Sequence, residues 1–225
     1  MKIALVPLVG LLVGLSTPAV ARTPGGGPAP TERPGVDLAL RAGYAFPFGD
    51  VDGDMGDQLS SFFSGAVPLV IEAGYRFNSA VTAGLLFQYA FAQVKDATGC
   101  GNRGASCSGS IIRLGIEGLY HFQLGSPFVP WVGLGTGYEW MNVDLSGPGD
   151  SGSLGAHGFE FLNLQAGGDD YLAPRFALGP FISLSFGRYE TATSSGIPLV
   201  PSSADIANTA VHEWLQIGVR GVFNL

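Results

Sequence analysis

The chain has 225 residues, of which 46% are hydrophobic and only 13% charged, and its formal net charge is −7. A negative balance argues against a nucleic-acid partner, which needs a basic surface. Beyond Lys2 there is one lysine, Lys95, which excludes the charge-covered surface of an ordinary soluble globule. No later apolar run is long enough to cross a bilayer as a helix.

The first residues read as an export signal. Lys2 precedes an apolar run over 3–15, and small residues follow at Ala19-Val20-Ala21, where a signal peptidase would cut. Residues 1–21 are therefore expected to be a signal peptide. Residues 22–35, rich in Pro and Gly, are expected to form a periplasmic lead-in, and 36–225 the folded part. Cys100 and Cys107 lie in a Gly/Ser-rich stretch, so in an exported chain they predict a loop disulfide. A metal site would need more ligands nearby than the sequence offers there.

From residue 36 the organising signal is alternation. The first segment places Val36, Leu38, Leu40, Ala42, Tyr44 and Phe46 on one face and Asp37, Arg41 and small residues on the other. The second, 67–77, alternates Val67 to Phe77 against Glu72 and Arg76, and the third, 81–91, ends on Tyr89 and Phe91. The fourth, 112–122, runs to Phe122 and opposes its apolar face with Arg113, Glu117 and His121. The fifth, 128–140, carries Gly133, Gly135, Gly137 and Glu139 on its second face. The sixth, about 159–169, is the least regular; the seventh is 176–186; the eighth, 215–225, carries Gln216 and Arg220 between apolar residues.

Segments of this length suit tilted strands crossing a hydrocarbon layer. Short links (78–79, 124–127, 171–174) alternate with long polar ones (47–66, 94–109, 144–157, 190–210). Five successive strands also end in an aromatic pair: Tyr44 with Phe46, Tyr75 with Phe77, Tyr89 with Phe91, Tyr120 with Phe122, and Tyr138 with Trp140. Strands running alternately up and down would set these pairs at both membrane surfaces as two girdles. The expectation is an all-β, eight-stranded, antiparallel up-and-down transmembrane β-barrel in a bacterial outer membrane, with short periplasmic turns and long extracellular loops. In a soluble ligand-binding barrel the second face would meet water, yet here it is mostly Gly, Ala, Ser and Gln.

In pattern and length the chain resembles the small outer-membrane barrels typified by the transmembrane domain of outer-membrane protein A. The resemblance implies that the last strand is read by the outer-membrane assembly machinery. The chain closes with Val222-Phe223-Asn224-Leu225, which puts Phe223 on the right face but two residues before the aromatic terminus usual in that family.

Counting across connections pairs charges inside the barrel. Arg41 should meet Glu72, Arg113 should meet Glu139, and closure should bring Arg220 toward Asp37. Such pairs would plug a narrow lumen, since eight strands leave room for little beyond their own side chains. Asp50, Asp52, Asp54 and Asp57 superficially suggest calcium ligands, but Met55 and Ser61 break the EF-hand spacing. His212 or His157 with Asp150 or Glu213 and Ser153 could be assembled into a hydrolase, though no positional motif supports it. No residue pattern calls for a cofactor. The functions this leaves are a structural or surface-interaction role, through loops facing an unknown extracellular partner, or a narrow ion or water channel. A lipid-modifying enzyme fits less well.

Overall fold

The computed structural model describes residues 34–53, 58–95, 106–123, 126–147, 151–196 and 201–225. The expected signal peptide, nearly all of the lead-in, Asp54, Asp57, Cys100 and Asp150 lie outside these residues. The elements in chain order are β1 (Gly35–Gly49), α1 (Leu59–Phe62), β2 (Phe63–Arg76), β3 (Val81–Val94), β4 (Ser106–His121), β5 (Phe128–Ser146), β6 (Ser151–Ala173), β7 (Phe176–Ser195), β8 (Ser203–Asp205) and β9 (His212–Asn224). Neighbouring strands pair antiparallel, and β9 closes on β1 from Asp37↔Asn224 to Gly49↔His212. Eight strands thus form a closed barrel, and β8 is a short addition beside the far end of β7. The two chain ends leave the barrel on one side, called here the terminal end.

Side chains alternate across the wall because a strand has a period of two residues. Outward residues are large, apolar and uncovered: Leu40 is 56% exposed, Ile116 57% and Leu134 61%. Inward residues include Asp37, Arg41, Glu72, Arg113 and Glu139, all buried. This inside-out polarity belongs to a membrane-spanning barrel, where lipid covers the apolar face. A soluble protein would leave an apolar patch of this extent in water.

At the end opposite the termini the strands run further than alternation suggested. The expected loop over 144–157 is largely strand, and the one over 190–210 is so in part: β5 reaches Ser146, β6 starts at Ser151, β7 reaches Ser195 and β8 spans Ser203–Asp205. Their Ser, Gly and Asp content mimics turn chemistry, but the cross-strand ladder continues, and a wall of β4 to β7 rises above the apolar belt. Its polarity is reversed. In the belt the outward row Leu114↔Tyr138↔Phe159↔Arg188 is mostly apolar, and the next row is Ile112↔Trp140↔His157↔Thr191. Above it the outward rows read Ser110↔Asn142↔Gly155↔Thr193, Ser108↔Asp144↔Ser153↔Ser195 and Ser106↔Ser146↔Ser151. The inward rows become Ile111↔Met141↔Ala156↔Ala192 and Gly109↔Val143↔Leu154↔Ser194.

The aromatic pairs mark the edges of the belt, and only at the terminal edge do these coincide with the expected strand ends. At the far edge β3 continues past Phe91 to Val94, and β5 continues past Trp140 to Ser146. At the terminal edge Phe77 and Phe122 stand just beyond Arg76 and His121, where β2 and β4 stop. The girdle position is set by where hydrocarbon ends, whereas a strand ends where its ladder loses a partner.

The irregular sixth strand has a local cause. The ladder slips between Glu160 and Leu162 against β7, and between Gly135 and Gly137 against β5. One extra residue there puts Glu160 and Asn163 on the same inward side, both buried, so simple alternation fails across the bulge.

Candidate functional site

The candidate site is the lumen, and its charges lie in tiers. Nearest the terminal end, Asp37 Oδ1 accepts a hydrogen bond from Asn224 Nδ2 (2.8 Å) and faces Arg76 Nη2 at 3.3 Å. In the middle, Arg41 meets Glu72 through Nε, Glu117 through Nη2 (3.3 Å) and Gln165 through Nη1 (2.7 Å). Arg220 donates from Nε to Glu72 (3.1 Å) and from Nη1 to Asp169 (2.7 Å). At the far tier Arg113 lies between Glu139, reached by Nε at 3.2 Å, and Glu160 at 2.6 Å. Tyr189 donates its hydroxyl to Glu139 (2.5 Å), and the His212 ring stacks on Tyr189 with centroids 4.0 Å apart.

The structure brings Arg41 to Glu72 and Arg113 to Glu139. It does not bring Arg220 to Asp37. On adjacent strands Arg220 stands opposite Arg41, whereas Asp37 stands opposite Asn224, four positions along the strand. Asp37 is held instead by Arg76 and Asn224, and Arg220 spans neighbouring strands to Glu72 on β2 and Asp169 on β6. Glu72 therefore lies between two arginines. Two like charges side by side would repel, and here they share one carboxylate and one ring: the guanidinium carbons of Arg41 and Arg220 lie 5.3 and 5.1 Å from the Trp131 ring centroid.

Room for these large groups comes from glycine. Gly167 stands opposite Trp131 on β6, and a Cβ there would lie 2.5 Å from the Trp131 ring. At Gly187 it would lie 2.8 Å from His212 Nε2. Gly167 and Gly187 are thus the counterparts of oversized side chains in the lumen.

Above the far tier the lumen turns apolar. Leu59 of α1, Phe63, Ile111 and Trp214 are buried together with Ala45, Ala66 and Ala90. The helix folds one turn into the barrel mouth, and this stopper lies on top of the ion pairs. Below it, two lumen cavities of about 10 Å³ each are lined by Asp37, Glu72 and their neighbours. Each has room for about one water.

The members of each aromatic pair touch on the outward face. Ring centroids are 4.9 Å apart for Tyr44 and Phe46, 5.2 Å for Tyr75 and Phe77, and 5.0 Å for Tyr89 and Phe91. They are 5.1 Å apart for Tyr120 and Phe122, and 4.7 Å for Tyr138 and Trp140. The residues considered for hydrolysis are scattered or engaged elsewhere. His157 shares a 2.6 Å hydrogen bond with Tyr138, His212 faces Glu139 at 3.4 Å, and Ser153 lies in an outward row of the wall. Asp50 and Asp52 form bridges to Gln58 and Thr209, and no group of metal-ligating side chains occurs among the described residues. Cys107 lies at the far end of β4, facing inward beside Leu145.

No protein-family profile matches the chain, and no curated protein matches it. Solved structures do. The Neisserial surface protein A is 17% identical, with a TM-score of 0.51, over 84% of this chain and 98% of that one. A major outer-membrane protein from Thermus thermophilus is 12% identical, with a TM-score of 0.58, over 86% of this chain and 100% of the other. The fold is that of the small outer-membrane β-barrels. At these identities the likeness concerns the fold alone.

Sequence reasoning missed Glu117, Glu160, Asp169, Arg76, Tyr189 and Trp131 as partners in the lumen. Trp131 was within reach, because it shares its strand face with Gly133, Gly135, Gly137 and Glu139.

Proposed function

We propose that this protein is an outer-membrane barrel without a conducting pore, whose role is structural or one of surface interaction through the end opposite its termini. The observation that carries the reading is the double closure of the lumen by stacked ion pairs and, above them, the apolar stopper of Leu59, Phe63 and Trp214. Buried charges that pair within the lumen leave no continuous wet path for an ion, and an unpaired one would be costly to keep. The same engagement of His212 and His157 supports a non-enzymatic role.

Single-channel recording in planar bilayers tests this directly. The intact chain should show no steady conductance, and a stable open level would overturn the closed-lumen reading in favour of a narrow channel. For orientation, a cysteine placed by Ser153→Cys in a chain whose own cysteines are replaced by serine should react with a membrane-impermeant maleimide on whole cells. Absence of labelling would turn the barrel over. A Cys100–Cys107 bridge, a cleaved 1–21 segment and recognition of β9 by the assembly machinery belong to the same proposal. Two free thiols on non-reducing alkylation would remove the first.

A further inference from the structure

Charge in the lumen does not balance. Among the described residues, six buried carboxylates stand against four buried guanidiniums. At the terminal tier Asp37 is matched by Arg76. In the middle tier Glu72, Glu117 and Asp169 meet only Arg41 and Arg220. In the far tier Glu139 and Glu160 share Arg113. The middle and far tiers thus each hold one acid more than their arginines neutralise. A bare carboxylate in so dry a space is costly to keep, and the two lumen cavities have room for about one water each, too little to hydrate two surplus charges.

Each surplus has a histidine beside it. In the far tier His212 Nε2 lies 3.4 Å from Glu139, against which Tyr189 also sets its hydroxyl. In the middle tier His121 Nε2 lies 4.0 Å from Asp169. Each tier also has a carboxylate whose guanidinium serves a second acid. Glu117 Oε2 faces Arg41 Nη2 at 3.3 Å while Arg41 also meets Glu72, and Glu160 shares Arg113 with Glu139. Amide groups complete the hold: Gln165 donates to Glu117 (3.0 Å) and Asn163 to Glu160 (3.2 Å). A proton in either tier therefore has two places to sit, an imidazole nitrogen or a carboxyl oxygen, and from both it cancels the surplus.

We infer that the folded lumen binds two protons, one in the middle tier and one in the far tier, and so links the barrel's stability to pH above neutrality. In the unfolded chain the same groups titrate at their ordinary values, about 4.3 for a glutamate and about 6.5 for a histidine. Above pH 7 unfolding then releases both protons, and stability falls as pH rises. The inference rests on the ion-paired lumen proposed above, but its test reads no conductance, so the two can fail separately. The test is urea unfolding of the intact chain in zwitterionic lipid vesicles. From pH 7.5 to 8.5 the folding equilibrium constant should fall about 100-fold, tenfold for each proton. Glu117→Gln and Glu160→Gln each remove one surplus acid and keep its shape, so each should reduce the fall to about tenfold, and the two together should flatten the profile. A wild-type fall of tenfold or less overturns the inference, and that measurement needs no variant to fold. A hundredfold fall that the double variant retains also overturns it, because the protons would then sit outside these two tiers.

Discussion

The belt and the wall are built from the same strands in one uninterrupted ladder, yet they solve opposite problems. In the belt, lipid takes the apolar side chains, so the barrel interior is left for Arg41, Glu72, Arg113 and Glu139, which must satisfy one another. In the wall, water and headgroups lie outside, so Ile111, Met141, Val143 and Ala156 turn inward and pack on the stopper. The change takes a single residue step, at Ile111-Ile112 on β4 and Trp140-Met141 on β5, where two apolar residues are adjacent and the alternation changes phase. Secondary structure here does not depend on which face is polar. The solvent on each side decides that.

The sharpest way to break the contrast is to unbalance the interior of the belt. Arg113→Met leaves Glu139 and Glu160 without their shared partner and should cost about 3–5 kcal/mol, read as a lower denaturant midpoint in lipid vesicles. Less severe is a charge on the lipid side. Leu134→Arg, at a position 61% exposed in mid-belt, should cost about 2–4 kcal/mol and reduce the fraction folded into vesicles. In the wall the sensitive side is inward, so Ala156→Asn should cost roughly 1–3 kcal/mol for a buried amide with no partner, visible in the same unfolding assay. Smallest is the outward wall: Ser153→Arg should stay within about 0.5 kcal/mol. If Ser153→Arg proved as damaging as Leu134→Arg, the boundary between belt and wall would lie higher than Trp140.

The belt was legible in the sequence because lipid imposes strict alternation, and the pairs Arg41–Glu72 and Arg113–Glu139 could be counted across adjacent strands. Contacts that skip a strand could not. Arg41 to Glu117 joins β1 and β4 across the lumen, and Arg220 to Asp169 reaches past β7; both depend on the stagger of the closed barrel, which local periodicity does not encode. The wall was present in the sequence but read as loops. Serines and glycines at outward positions look like turn residues, and Met141, Val143 and Leu145 keep a period of two at the opposite parity from Tyr138 and Trp140. The bulge at Glu160 concealed β6 by the same mechanism, a phase change inside one strand.

The phase change also fixes the barrel's depth in the membrane. If the molecule sank by one row, Asn142 and Ser110 would enter hydrocarbon; if it rose by one, Ile112 and Trp140 would lose their lipid cover. Either shift acts on several strands at once, so the strands work as a depth gauge graduated in pairs of residues. In a bilayer thicker or thinner than its belt, this barrel should bend the lipid to fit rather than ride up or down through it.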